Sequence, residues 1–343
     1  MNKKIKLLFI ALIAITIFTT ACKNKSNQNL SSKKTSKNIV KSLDFSYFPA
    51  ETTVLAIVDF QSIFNIKAFQ PMLKKLFSKV KESNSLDLSE LNSLSAFINI
   101  KDFKNNPLSN AAIILDGINL SKLKKMPKAP KTEKFEGLDI NIYDDNTGFV
   151  VIGNKTIGGT LISVKNAISL NKGKSKNLAS TPRNNDFKEI ISKLNNSQLN
   201  LIFVSNEKTD SEIKNFFSKP QFFMLKEFTD NLKSAGFGIK VDNKNIDFTL
   251  VMKSSKDGVK SLASLANTQL NQIKPNLDKQ LTNLKAIVTP SGINIIKNMV
   301  NTVKIEEKNE FLVISFRLTM KDAMKIPEIV MALGLIPAKG KLK

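Results

Sequence analysis

The residue types that could perform chemistry in this chain of 343 residues are few. It has one cysteine, Cys22, and no histidine. A Ser-His-Asp triad, an imidazole base and a His-containing zinc site are therefore excluded, and a lone thiol forms no disulfide framework and no multi-thiolate metal site. Catalysis would have to use carboxylates, lysines, hydroxyls or the two tyrosines, Tyr47 and Tyr143. Composition argues against an enzyme without excluding a carboxylate-dependent hydrolase.

Two acidic groups attract attention, Asp144-Asp145-Asn146 and Glu306-Glu307. Neither has the spaced oxygen ligands of a calcium-binding EF-hand loop. Glycoside cleavage needs two carboxyl groups that face each other about 5–10 Å apart, and only the fold can bring that about. The sequence predicts solvated turns at both places.

Two motif matches do not support catalysis. Residues 153–160 have the glycine spacing of a phosphate-binding P-loop, but Gly159 stands where the lysine should be, and residues 160–162 are predicted as strand. Ser-x-x-Lys, a possible Ser-Lys nucleophile pair, occurs about as often as chance gives in so lysine-rich a chain, beginning at Ser31, Ser78, Ser121, Ser169, Ser205 and Ser211. We therefore assign no catalytic, cofactor-binding or metal-binding residue.

Cys22 stands at the end of an apolar leader. Three lysines lie within the first six residues, and residues 7–21 are apolar or small, which is the pattern of a secretory signal. Thr19-Thr20-Ala21-Cys22 resembles the lipobox of bacterial lipoproteins, although leucine is commonest where Thr19 stands. The resemblance implies cleavage before Cys22 and attachment of diacylglycerol to its thiol.

Two alternatives to lipidation stay open. An ordinary signal peptidase could cut after Ala21, because Thr19 and Ala21 satisfy its preference for small residues. The leader could also remain as an uncleaved anchor, but 15 apolar residues are fewer than the roughly 17–25 that span a bilayer.

Residues 22–44 are predicted to be the lipidated cysteine and a disordered tether, and residues 337–343 a basic tail. The stretch 23–41 carries six lysines and no acid, so it cannot bury enough apolar area to fold and favours an anionic surface. By enterobacterial sorting logic, Lys23 after the cysteine favours the outer membrane.

The net charge of +23 does not indicate nucleic-acid binding. Arg183 and Arg317 are the only arginines, tryptophan is absent, and lysines are scattered along the whole chain. Base readout and base stacking depend on arginine and aromatic residues among the basic ones. The lysines are predicted to form a solvated surface.

Hydrophobic periodicity predicts an α+β fold of antiparallel sheets with intervening helices. Predicted strands cover residues 53–60, 111–115, 138–143, 149–152, 156–162, 199–204, 237–241, 246–252, 303–305 and 312–320. Predicted helices cover residues 71–80, 88–97, 164–170, 185–194, 222–232, 256–272 and 328–335, with Ser163 as a cap and a basic loop at 122–134. The order of elements repeats, which predicts two related lobes, 45–197 and 198–336, after a signal peptide at 1–21.

The run 148–168, followed by Asn177-Leu-Ala-Ser, Asp186-Phe187 and the strand 199–204, resembles a widespread bacterial family of uncharacterised envelope and secreted proteins, grouped as a domain of unknown function. The resemblance implies an α+β fold made of repeats. It implies no activity and no catalytic residue.

The sequence thus predicts a lipid-anchored bacterial envelope protein with a non-catalytic binding or structural role. Its expected partners are the membrane, through Cys22, and another envelope protein or an anionic surface, with no nucleic acid and no cofactor. One alternative is a carrier of lipid or another hydrophobic ligand, which the abundance of phenylalanine suggests. A further alternative is a carboxylate-dependent hydrolase.

Overall fold

The computed structural model describes residues 43–67, 88–99, 111–120, 131–144, 146–194, 196–207, 231–282 and 290–323, with isolated positions between these ranges. Their strands join in one antiparallel sheet of twelve, in the order β11-β12-β10-β9-β8-β1-β2-β3-β7-β6-β5-β4. The strands are β1 Val54–Asp59, β2 Ser93–Ile98, β3 Ala111–Asp116, β4 Lys131–Phe135, β5 Leu138–Asp144, β6 Thr147–Ile152, β7 Lys155–Thr160, β8 Leu199–Val204, β9 Ser234–Val241, β10 Asn245–Lys253, β11 Lys304–Lys308 and β12 Phe311–Thr319. The predicted α+β class is confirmed.

Helices lie between some of the strands along the chain. In the described residues they are α1 Phe60–Phe64, α2 Leu161–Asn171, α3 Arg183–Lys193, α4 Lys256–Thr282, α5 Pro290–Thr302 and α6 Met320–Ala323. The Asp59 carboxylate caps α1 by accepting a hydrogen bond from the backbone N–H of Ser62 at 2.9 Å. None of the helices in the described ranges is long and apolar enough to span a membrane.

Two predictions between residues 88 and 134 are wrong. Residues 88–97 are not a helix, because only Leu88–Glu90 forms a 3-10 turn and β2 begins at Ser93. Residues in β2 alternate between the two faces of the sheet, and pairing with β1 and β3 overrides their local helix propensity. The basic loop predicted to run to residue 134 gives way to strand β4 at Lys131.

The strand predicted to end at residue 162 stops at Thr160, and α2 begins at Leu161. The cap of α2 is Thr160 rather than Ser163, since the Thr160 side chain accepts a hydrogen bond from the Ser163 backbone N–H at 3.3 Å. The turn predicted at Glu306-Glu307 is also wrong. β11 continues to Lys308, and the turn contains Asn309, whose φ of 57° is one that asparagine tolerates.

Several predictions lie outside the described residues, wholly or for the most part. They are Cys22 and the leader, nearly all of the tether, the helices predicted at 71–80, 222–232 and 328–335, and the tail at 337–343. The predicted boundary at 197/198 falls just before β8. However, β8 pairs directly with β1, with Leu55 opposite Ile202, so the two halves share one sheet and separate lobes are not confirmed.

One face of the sheet, which we call the helix-covered face, carries the largest buried core. Leu55, Ile57 and Ile202 are fully buried there, with Phe187 and Ile190 of α3 among the residues that pack against the sheet. Gly236 of β9 makes this approach possible. A Cβ atom at Gly236 would lie 2.3 Å from the Ile190 Cγ2 methyl group, so a side chain there would push α3 away.

Candidate hydrophobic binding surface

The opposite face of the sheet presents three lateral rows of apolar side chains, which we call the apolar surface. Strand register aligns the rows across β3, β2, β1, β8, β9, β10 and β12. The middle row is Ile113, Ala96, Ala56, Leu201, Phe237, Leu250 and Ile314. The row on one side of it is Ala111, Ile98, Val54, Phe203, Ala235, Met252 and Leu312, of which Ala111 and Leu312 are buried. The row on the other side is Leu115, Leu94, Val58, Leu199, Ile239, Phe248 and Phe316.

The size of the apolar surface follows from sheet geometry. Neighbouring strands lie about 4.8 Å apart and side chains on one face repeat about every 6.8 Å, so the surface is about 30 Å wide and about 14 Å high. No member of the three rows carries a polar or charged group. Only part of this area is accessible, because Val58 is buried and Leu199, Ile239 and Met252 are among the members that pack against buried clusters. Contiguous apolar patches that stay accessible on a soluble protein often mark binding sites.

Burial differs sharply between the two faces of the same strands. In β8, Ile202 on the helix-covered face is fully buried, whereas Leu201, the next residue, is 47% exposed. Ala56 and Ala96 beside Leu201 are half-buried, as are Phe203 and Phe237. The middle of the apolar surface is therefore accessible to an apolar partner.

Aromatic rings form one side of the apolar surface. The Phe248 and Phe316 rings stack with centroids 4.6 Å apart and planes 11° apart. The Phe237 ring lies 6.2 Å from that of Phe248. Because these rings support each other, they offer a preformed apolar contact area that loses little side-chain entropy on binding.

Two buried clusters cover opposite parts of the apolar surface. Ile63 and Ile66, in and just after α1, pack near Val58 in one cluster. Val259 and Ala263 of α4 pack against Leu312 in the other. Among the described residues, the central side chains Ala56, Leu201 and Phe237 belong to neither cluster, so the accessible part of the surface lies between them.

Comparisons with known proteins leave the chain without an assigned family. No family model and no curated protein matches it. Three solved structures of the Treponema protein TP0453 resemble it in part. Crystal forms I, III and IV give TM-scores of 0.41, 0.40 and 0.41 with 10%, 11% and 9% identity. They cover 85%, 85% and 86% of this chain and 98%, 100% and 99% of TP0453. Similarity at this level establishes neither a common site nor a common activity.

The acidic groups singled out in the sequence do not form a carboxylate pair. Asp144 ends β5 and Asn146 precedes β6, while Asp145 lies outside the described residues. Glu306 and Glu307 are neighbours in strand β11, so their side chains point to opposite faces. A hydrogen bond from Lys308 to Glu306 at 2.5 Å lowers the pKa of that carboxyl group.

Among the described residues one pair of carboxylates converges, and no pattern in the sequence indicates it. Asp186 and Glu189 lie one turn apart on α3 and both accept hydrogen bonds from Lys253 Nζ, at 3.2 and 2.6 Å. Burial lowers the pKa of Lys253, but the hydrogen bonds and negative charges of Glu189 and Asp186 outweigh it, so the pKa is raised. A lysine that stays protonated cannot act as a base, and this cluster ties α3 to β10.

We expect Lys253→Met to destabilise the fold by about 1–2 kcal/mol, because both carboxylates are part-exposed and water replaces much of the lost interaction. The folded-state pKa of Lys253 lies above its unfolded value, so its contribution is fully present below the ordinary lysine pKa and is lost as pH rises through the folded pKa. Urea unfolding of both proteins at neutral and at strongly alkaline pH measures this. The difference in the free energy of unfolding between the wild type and Lys253→Met should shrink at alkaline pH. If it is the same at both pH values, Lys253 stabilises the fold through packing rather than through its charge.

The remaining sequence candidates do not join a site. Gly158 and Gly159 lie inside strand β7. A Cβ atom at Gly159 would lie 2.5 Å from the Ala111 carbonyl oxygen, so the absence of a side chain at Gly159 allows β7 to lie close to β3. In the described ranges, no three Asp, Glu, Cys or His side chains come together as a metal site. The described candidate site is therefore the apolar surface.

Proposed function

We propose that this protein is a lipid-anchored bacterial envelope protein whose folded part acts by binding rather than by catalysis. The leader that ends at Cys22 supports the anchor. The observation that carries the binding role is the apolar surface, with Leu201 47% exposed at its centre. The carboxylates that do converge are held by a protonated lysine, which supports a non-catalytic role.

A carrier of lipid or another hydrophobic ligand is the form of binding that this surface favours. Protein interfaces are usually surrounded by polar groups and contain a hydrogen bond for every 100–200 Å² or so. The three rows offer no hydrogen-bonding side chain across about 30 Å, whereas an acyl chain needs none. A hydrolase has no comparable support among the described residues.

The middle of the apolar surface can be tested directly with the fluorescent fatty acid cis-parinaric acid. We expect Leu201→Lys to weaken its binding at least tenfold, because the variant loses a leucine contact worth about 1.5–3 kcal/mol and adds a charge that the bound chain would desolvate. Ile162→Lys is the matched control, since Ile162 is 61% exposed on α2, away from the apolar surface.

Fluorescence titration of the processed protein gives the two affinities. Equal affinities of the Leu201→Lys and Ile162→Lys variants would reject the apolar surface as the acyl-chain site. Native mass spectrometry of the protein extracted gently from its own envelope is an independent test. A retained mass in the lipid range supports the carrier, and a clean lipoprotein mass favours binding to another envelope protein, which crosslinking would then identify.

A further inference from the structure

The loop 171–176, which begins with the last residue of α2, is strongly basic and exposed. Its sequence is Asn-Lys-Gly-Lys-Ser-Lys, it contains no acid, and all six residues are exposed. Gly173 adopts a φ of 71°, the left-handed conformation that commonly ends a helix. Because the chain turns away from α2 at Gly173, the lysines that follow lie in an exposed loop rather than on a helix.

This loop is bonded to the segment through which the tether enters the fold. The backbone N–H of Ala50 donates to the Lys176 carbonyl oxygen at 3.2 Å, and that of Leu178 donates to the Phe48 carbonyl oxygen at 2.7 Å. Pro49 and Asn177 form a β-bridge between them. The loop therefore lies beside residues 48–50, close to the point where the described part of the chain begins.

The charge of this region is only partly neutralised. Lys174 pairs with Glu136 at 3.2 Å, whereas Lys172 and Lys176 form no ion pair within the described residues. Asp44 and Glu51 are acids of the adjoining segment, and Asp44 accepts a hydrogen bond from the Ser46 backbone N–H. The six lysines of the tether, without any acid, add to the positive side.

We propose that the loop 171–176 is a docking surface for the anionic lipid headgroups of the bilayer that holds the anchor. This inference rests on the proposed anchor at Cys22. The tether predicted at residues 23–41 would span about 25 Å on average as a random coil, which would hold the fold close to the membrane surface. Attraction of Lys172 and Lys176 to the negative leaflet then orients the fold with the C-terminal end of α2 toward the lipid.

Vesicle binding tests the loop separately from the anchor. The protein is the processed chain from residue 22 with Cys22→Ser, which carries no acyl group, and the probes are phosphatidylcholine vesicles with and without 30% phosphatidylglycerol. The loop variant is Lys172→Gln with Lys176→Gln. The matched control is Lys260→Gln with Lys279→Gln, which removes the same charge from two exposed lysines on α4.

We expect the loop variant to lose about fivefold in partition to phosphatidylglycerol vesicles for each lysine removed, with no loss for pure phosphatidylcholine. The control should change less than twofold, and the difference should vanish at high salt. Equal losses for the two variants would show that binding follows net charge, and no loss in the loop variant would show that the tether suffices. Either result overturns the loop as a docking surface and leaves the anchor at Cys22 unaffected.

Discussion

Cys22→Ala is expected to abolish acyl labelling and to release the protein from the membrane fraction. The thiol is the only group to which diacylglycerol can be attached in this chain. Without acyl chains, the membrane attraction that remains comes from the lysines of the tether and the loop 171–176, and salt weakens it. Metabolic labelling with palmitate, followed by fractionation in high salt, measures both effects in the same cells.

Ser26→Ala is a suitable control, because it makes a similar small change inside the tether and should leave labelling and fractionation unchanged. Membrane retention of the Cys22→Ala protein at high salt, with no acyl label in the wild type, would indicate an uncleaved anchor. A soluble, unlabelled wild-type protein would indicate ordinary secretion after cleavage at Ala21. Each result would replace the lipoprotein interpretation with one alternative that the leader leaves open.

Local periodicity predicted much of the sheet but not its continuity. The alternation of Phe237, Ile239 and Val241 correctly placed β9, and the same pattern placed β10. Pairing of β1 with β8 joins segments far apart in the chain, and no local pattern specifies such a partner. For this reason the sequence suggested two lobes, whereas the structure has one sheet.

The candidate site was harder to predict than the strands that form it. In β8 both faces are apolar or nearly so, and alternation alone cannot show that Ile202 is buried while Leu201 is exposed. That difference depends on α3, which covers one face only. The Lys253 cluster was missed for a similar reason, since Asp186 and Glu189 lie far from Lys253 in sequence and meet it only when α3 docks.

The single sheet has a consequence for folding, because its main core joins both halves of the chain. Phe97 of β2 and Phe187 of α3 belong to the same buried cluster as Ile202 of β8 and Val251 of β10. Side chains from residues before and after the predicted boundary at 197/198 therefore exclude water from one shared interior. A core shared in this way should unfold as one unit rather than as two.

Phe187→Ala is expected to lower the free energy of unfolding by about 3–5 kcal/mol, because it leaves a cavity at a fully buried position whose ring lies 6.4 Å from that of Phe45. Ile162→Ala, at an exposed position, should change it by less than about 0.5 kcal/mol. Urea unfolding, monitored by hydrogen exchange in peptides from β2 and from β10, reports on the two halves of the chain separately. If one core holds the chain together, Phe187→Ala lowers the midpoint equally in both peptides. If protection is lost around β2 while β10 stays protected, the halves fold independently, and the two-lobe prediction regains its support.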